Sequence, residues 1–94
     1  MNPIDVMAVA YMNRTDEERK LLRLRHELTQ LSIHTELRDN NTALLVHPPG
    51  GRGLPVWVFV GYGGAYFSWQ YAEKRHPVND ALGAAKVLAE YVSR

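Results

Sequence analysis

Seven of the chain's nine aromatic residues fall between positions 57 and 71, inside the run from Leu54 to Tyr71. Gly63 and Gly64 divide that run into two strand-like stretches. The first carries a large apolar side chain at every position from Val56 to Val60. Successive side chains of a strand point to opposite faces of its sheet. A strand that is apolar on both faces needs cover on both, and in a chain of 94 residues one layer of helices covers only one. What lies against the second face is therefore the main functional question.

The length fits one domain over residues 1–94 with a modest core, burying roughly 60–70% of the surface of the unfolded chain. A hydrophobic share of 46% and a charged share of 22% are those of an ordinary globular protein. The formal net charge of +1 argues against a domain devoted to neutralising phosphates, since such domains are markedly basic. With no cysteine, disulfides, thiol nucleophiles and thiolate metal sites are excluded. The first twelve residues lack a basic leading region and Asp5 interrupts them, so they do not read as a secretory signal. A cytoplasmic location is the resulting expectation.

Residues 16–31 are predicted to be a helix. Thr15 followed by Glu18 has capping-box spacing, and Asp16, Glu17 and Glu18 set negative charge at the positive end of the helix dipole. Leu21, Leu24, Leu28 and Leu31 then recur at three- and four-residue steps, with Leu22 beside them. This start implies a break at Asn13-Arg14. Residues 1–13 would be either an extended arm or a short helix opened by Asn2-Pro3, with Ile4, Met7, Ala8 and Tyr11 on one face.

A hairpin follows. Ile33, Thr35 and Leu37 alternate with His34, Glu36 and Arg38, and Asn40-Asn41 suits a two-residue turn. That register sets Leu37 opposite Leu44 and Thr35 opposite Val46, with Glu36–Leu45 and His34–His47 on the other face. In the aromatic hairpin, a two-residue Gly63-Gly64 turn pairs Val60 with Phe67 and leaves Trp57, Phe59, Tyr66, Ser68 and Gln70 outside. A three-residue turn pairs Phe59 with Phe67 and turns Val56, Val58 and Val60 outward instead. Pro77 would open the last element, a helix to about Ser93 capped by Asn79 or Asp80, with Ala81, Ala85, Leu88 and Val92 inward. Gly83 inside it suggests a close approach to the sheet. The expected fold is an α+β two-layer sandwich: a four-stranded, mainly antiparallel sheet with its helices on one face.

Few residues suggest chemistry. His34, His47 and Glu36 are sufficient ligand types for zinc, but strand-face ligands rarely converge without a third, well-aimed partner, so they read as a polar sheet surface and no metal or other cofactor is expected. Ser68, His76 and Asp80 form a triad only on paper, and the glycine clusters at 50–53 and 61–64 lack the strand-to-helix setting of a phosphate loop. No enzyme activity is expected. Residues 81–91 are similar to the alanine-rich second helix of double-stranded RNA-binding domains. The lysine cluster that those domains carry at its start is missing, since only Lys74 and Arg75 precede Pro77. No family is assigned on that likeness.

The expectation is a non-catalytic interaction module that binds a protein partner or a second copy of itself through Trp57, Phe59, Tyr66, Ser68 and Gln70. The alternative is nucleic-acid binding, with Trp57, Phe59 and Tyr66 as stacking platforms and Arg19, Arg23, Arg25 and Arg52 as phosphate contacts. No membrane partner is expected.

Overall fold

The computed structural model describes residues 3–70 and 73–93, with side chains described from Asp16 onward. The elements in chain order are helix α1 (Pro3–Gln30), strands β1 (Thr35–Arg38), β2 (Ala43–Val46), β3 (Val56–Gly61), β4 (Tyr66–Trp69) and β5 (Lys74–Pro77), and helix α2 (Ala81–Val92). A single 3-10 turn, Pro49–Gly51, lies between β2 and β3. The five strands form one antiparallel meander in the order β1-β2-β3-β4-β5. This is the α+β architecture expected, with one strand more.

The extra strand is β5. Its residues Lys74, Arg75, His76 and Pro77 offer no apolar alternation, so it joins the sheet through its backbone, pairing Phe67 with His76 and Trp69 with Lys74. Pro77 therefore ends an edge strand, where a missing N–H is tolerated, and does not open the last helix. That helix starts at Ala81 with Asp80 as its cap, whose carboxylate accepts the Gly83 N–H at 3.2 Å. A Cβ on Gly83 would collide with the Asp80 carboxylate and lie 2.9 Å from His76 Nε2. The close approach at this glycine is thus to its own cap and to β5.

The largest correction concerns α1. It is one continuous helix of 28 residues, about 42 Å long at 1.5 Å per residue. There is no break at Asn13-Arg14, and Thr15 lies inside the helix instead of capping it. Residues 3–30 hold no proline or glycine beyond Pro3 at the first turn, so nothing in the backbone stops the helix there. The proposed face of Ile4, Met7, Ala8 and Tyr11 falls outside the described side chains, and the Asn2 cap outside the described residues. The far end of α1 closes in a Schellman arrangement. Ile33 N–H reaches Leu28 O at 2.9 Å and Ser32 N–H reaches Thr29 O at 3.0 Å, with Ser32 at φ 63°. Ile33 and Leu28 are both core residues, the apolar contact that accompanies this motif. Leu31 and Leu22 are exposed, which narrows the expected stripe to Leu21, Leu24 and Leu28.

Both helices cover one face of the sheet. Leu21, Leu24 and Leu28 of α1 and Ala84, Ala85, Leu88 and Val92 of α2 share a core with Leu44, Val46, Val58, Phe67 and Trp69. Burying each of the larger side chains contributes about 1.5–3 kcal/mol. The β1–β2 register is the one expected, Leu37 opposite Leu44 and Thr35 opposite Val46. The turn runs through three left-handed residues, Asp39, Asn40 and Asn41, with φ of 54°, 56° and 66°, and the Thr42 N–H is shared between Arg38 O and Asp39 O at 3.2 Å. In the aromatic hairpin the two-residue alternative holds, with Val60 opposite Phe67 and Phe59 opposite Ser68. Among the described residues, no helix is long and apolar enough to cross a membrane.

Candidate functional site

The face of the sheet away from both helices follows from these registers. Opposed residues run Arg38–Ala43–Phe59–Ser68–Arg75 across the five strands, with Glu36–Leu45–Trp57 on one side and Gly61–Tyr66–Pro77 on the other. Trp57 and Phe59, two residues apart on the central strand, stack with ring centroids 6.4 Å apart and planes 13° from parallel. Each keeps over two-fifths of its surface exposed, 42% and 43%. Their neighbours Leu45 and Ala43 on β2 are buried. The outer face thus has an apolar centre with two aromatic rings standing proud of it.

The other residues expected at the site have different surroundings. Ser68 lies on this face but is buried; a short side chain between Phe59 and Arg75 is shaded by both. Tyr66 is half-buried, meets Tyr62 edge-on at 5.6 Å, and has the Arg75 guanidinium 4.9 Å above its ring centroid. Arg75 sits equally close, 4.8 Å, to the Tyr62 ring, a cation–π arrangement on both rings. Gln70 is exposed but is not part of the outward row. Its φ of 52° turns the chain, and its amide oxygen accepts the Tyr91 hydroxyl of α2 at 2.8 Å. Period-two reasoning missed this because a residue in the left-handed region breaks the alternation.

Arg19, Arg23 and Arg25 are exposed on α1, which packs on the opposite face from Trp57 and Phe59. Arg52 is exposed in the β2–β3 loop. The basic helix and the stacking platform are therefore on opposite sides of the sheet and do not form one surface.

At one end of the outer face His34, Glu36 and His47 come together. The imidazoles stack with centroids 5.1 Å apart, and His47 Nε2 lies 2.9 Å from Glu36 Oε2. That hydrogen bond, followed by one from Arg38, holds the Glu36 carboxyl below its ordinary range. The candidate ligand atoms of the three residues lie within 4.8 Å of one another. Tetrahedral zinc with bonds near 2.0–2.1 Å sets its ligands roughly 3.3–3.4 Å apart, and Glu36 is already shared between His47 and Arg38. Calorimetric titration with zinc should therefore show no stoichiometric submicromolar uptake. Tight binding lost in His34→Ala or His47→Ala would overturn that expectation.

His76 Nε2 and Asp80 Oδ2 are 2.8 Å apart at the start of α2. The contact depresses the Asp80 carboxyl, with the Gly83 N–H adding to it. Ser68 cannot complete a triad with them. It lies opposite Arg75 on the outer face, whereas His76 pairs with Phe67 on the helix-covered face. Comparison of the chain with protein-family models, curated proteins and solved structures gave no match.

Proposed function

We propose that this protein is a non-catalytic interaction module that pairs with a second copy of itself, or docks on a protein partner, through the outer sheet face centred on Trp57 and Phe59. The observation that carries the reading is two large aromatic rings more than two-fifths exposed on the middle strand of a sheet face that, among the described residues, no helix covers. Aromatic anchors in the centre of a patch are the groups that dominate protein interfaces. The sheet edges are poorer candidates. β5 carries Lys74, Arg75 and Pro77, and β1 carries Glu36 and Arg38, side chains that blunt strand-to-strand pairing.

The continuity of α1 argues against the chain's own N-terminal segment as cover. A helix whose second half packs on the inner face does not bend back around to the outer one, which supports cover from outside the chain. A second copy suits the patch, because apolar side chains flanked by both signs of charge are self-complementary in a two-fold arrangement. Five strands spaced about 4.8 Å and four to six residues long present on the order of 250–400 Å² of planar area. Stable complexes bury about 800 Å² per partner. The pairing is accordingly reversible and concentration-dependent.

Sedimentation of the wild type and of Trp57→Ser over a range of concentrations tests this. The wild type should form a dimer at high concentration, and Trp57→Ser should weaken it by about 1.5–3 kcal/mol, the contribution of burying such a side chain. A wild type that stays monomeric and binds no protein, or a mass that rises on adding RNA or DNA at low salt, would sink this reading. The second outcome would favour nucleic acid in its place.

A further inference from the structure

The outer face carries both signs of charge on one strand. Glu36 and Arg38 of β1 stand two residues apart, with 39% and 50% of their side-chain surface exposed and their charged groups 3.1 Å from each other. Each heads a row of outward residues, Glu36–Leu45–Trp57 and Arg38–Ala43–Phe59–Ser68–Arg75. The rows run side by side across the sheet. Trp57 and Phe59 therefore hold the same places in the middle strand that Glu36 and Arg38 hold at the edge.

Two copies docked face to face by this surface are related by a two-fold axis lying between them. An axis along β3 would set Arg38 of one copy over Arg75 of the other. An axis along the Phe59 row would set Arg38 over Arg38, and one along the Trp57 row Glu36 over Glu36. Like charges facing each other across an interface are disfavoured. An axis midway between the two rows does the opposite. It sets Arg38 of each copy over Glu36 of the other, Phe59 over Trp57, and Ala43 over Leu45, a small side chain against a larger one. Arg75 lies 4.8 and 4.9 Å from the Tyr62 and Tyr66 ring centroids, which draws it toward the Gly61–Tyr66–Pro77 row and off this contact. Packed sheets cross at about 30°, which displaces an edge two strands from the centre by about 5 Å, within the span of arginine and glutamate side chains.

We propose that a second copy docks with its strands antiparallel to those of the first, about an axis between these two rows, and that crossed Arg38–Glu36 pairs fix the register. This docking rests on the pairing reading and commits it to one occupant, a second copy of the chain. The aromatic centre supplies the affinity and the flanking charges choose the register, the division usual between the core and rim of an interface.

Sedimentation of charge-reversed variants tests the register. Both side chains are exposed on an edge strand, so the substitutions leave the fold intact, which circular dichroism checks. In a Glu36→Lys dimer both crossed contacts become cation on cation, and in an Arg38→Glu dimer anion on anion. Each variant alone should dimerise roughly tenfold more weakly than the wild type, since an exposed pair is modest but occurs twice per dimer. An equimolar mixture of the two should recover affinity to within about threefold of the wild type, because both crossed contacts then join opposite charges. The double variant Glu36→Lys/Arg38→Glu, which keeps the wild-type net charge, should recover it as well. Recovery in the double variant alone would assign the effect to the pair within one chain, and recovery in the mixture alone to the difference in net charge. Either result, or recovery in neither, overturns the register. A wild-type dimer that neither single substitution weakens also overturns it and leaves the pairing reading standing, whereas a wild type that is monomeric at every concentration removes both.

Discussion

Phe67→Ala should cost about 3–5 kcal/mol, the range for emptying a large buried aromatic site. Phe59→Ala should cost far less, on the order of 1 kcal/mol. Phe67 is fully buried on β4, opposite Val60 and His76, in the core shared with both helices. Phe59, on the neighbouring strand, stands on the uncovered face with 43% of its surface exposed. A domain of this size has roughly 5–15 kcal/mol in hand, so Phe67→Ala removes a large part of it. Urea denaturation read by midpoint and slope checks both variants. Equal losses would mean that Phe59 and Phe67 share the inner face, as the three-residue turn requires, and would overturn the register together with the outer aromatic face.

That register was half legible in the sequence. On β1 and β2 the pairing of Leu37 with Leu44 and Thr35 with Val46 could be read because inward and outward residues differ in kind on β1 and the turn residues Asn40-Asn41 tolerate positive φ. On β3 every residue from Val56 to Val60 is apolar, so alternation could not decide which set faced inward, and both turn lengths stayed open. The outer position of Trp57 and Phe59 was readable only under one of them. β5 left no trace, because Lys74-Arg75-His76-Pro77 joins the sheet through backbone bonds and contributes little to the core. The end of the β3–β4 ladder at Phe59↔Ser68 was also invisible. Identical residues in identical register serve for a closed or an open ladder, and the positive φ of Gln70 is not something a glutamine advertises.

The start of α1 is a different kind of error, because contrary evidence was available. Thr15 and Glu18 have capping-box spacing, yet the same residues are compatible with a helix interior, where threonine costs only some tenths of a kcal/mol relative to alanine. A cap marks a start only where something keeps the preceding residues from being helical, and residues 4–14 hold neither proline nor glycine. Glu18 does have a structural partner, but it is Asn41, whose side-chain amide donates to Glu18 Oε1 at 3.2 Å. This ties α1 to the β1–β2 turn. Lys20 does the same at the other hairpin, donating to Gly64 O at 3.0 Å while pairing with Asp16 at 2.7 Å.

Asp16→Pro should separate the two descriptions of α1 with a large effect of opposite sign. If a helix began just after Thr15, position 16 would be its first residue. There proline is favoured, since its missing N–H is one that no helix would use and its φ is already set. In the continuous helix Pro3–Gln30, position 16 is interior. Proline then removes a backbone hydrogen bond and clashes with the preceding turn, at a cost of about 3 kcal/mol or more. The substitution also deletes the Asp16–Lys20 ion pair, so Asp16→Ala serves as the control. That exposed pair is one whose loss alone should move the denaturation midpoint little. The expected result is a strongly destabilised Asp16→Pro beside a near-native Asp16→Ala, with helical circular dichroism falling in the proline variant. An Asp16→Pro protein as stable as Asp16→Ala would show that the helix starts at Thr15. It would also free the first thirteen residues to reach the outer face, and so remove the argument that Trp57 and Phe59 await a second chain.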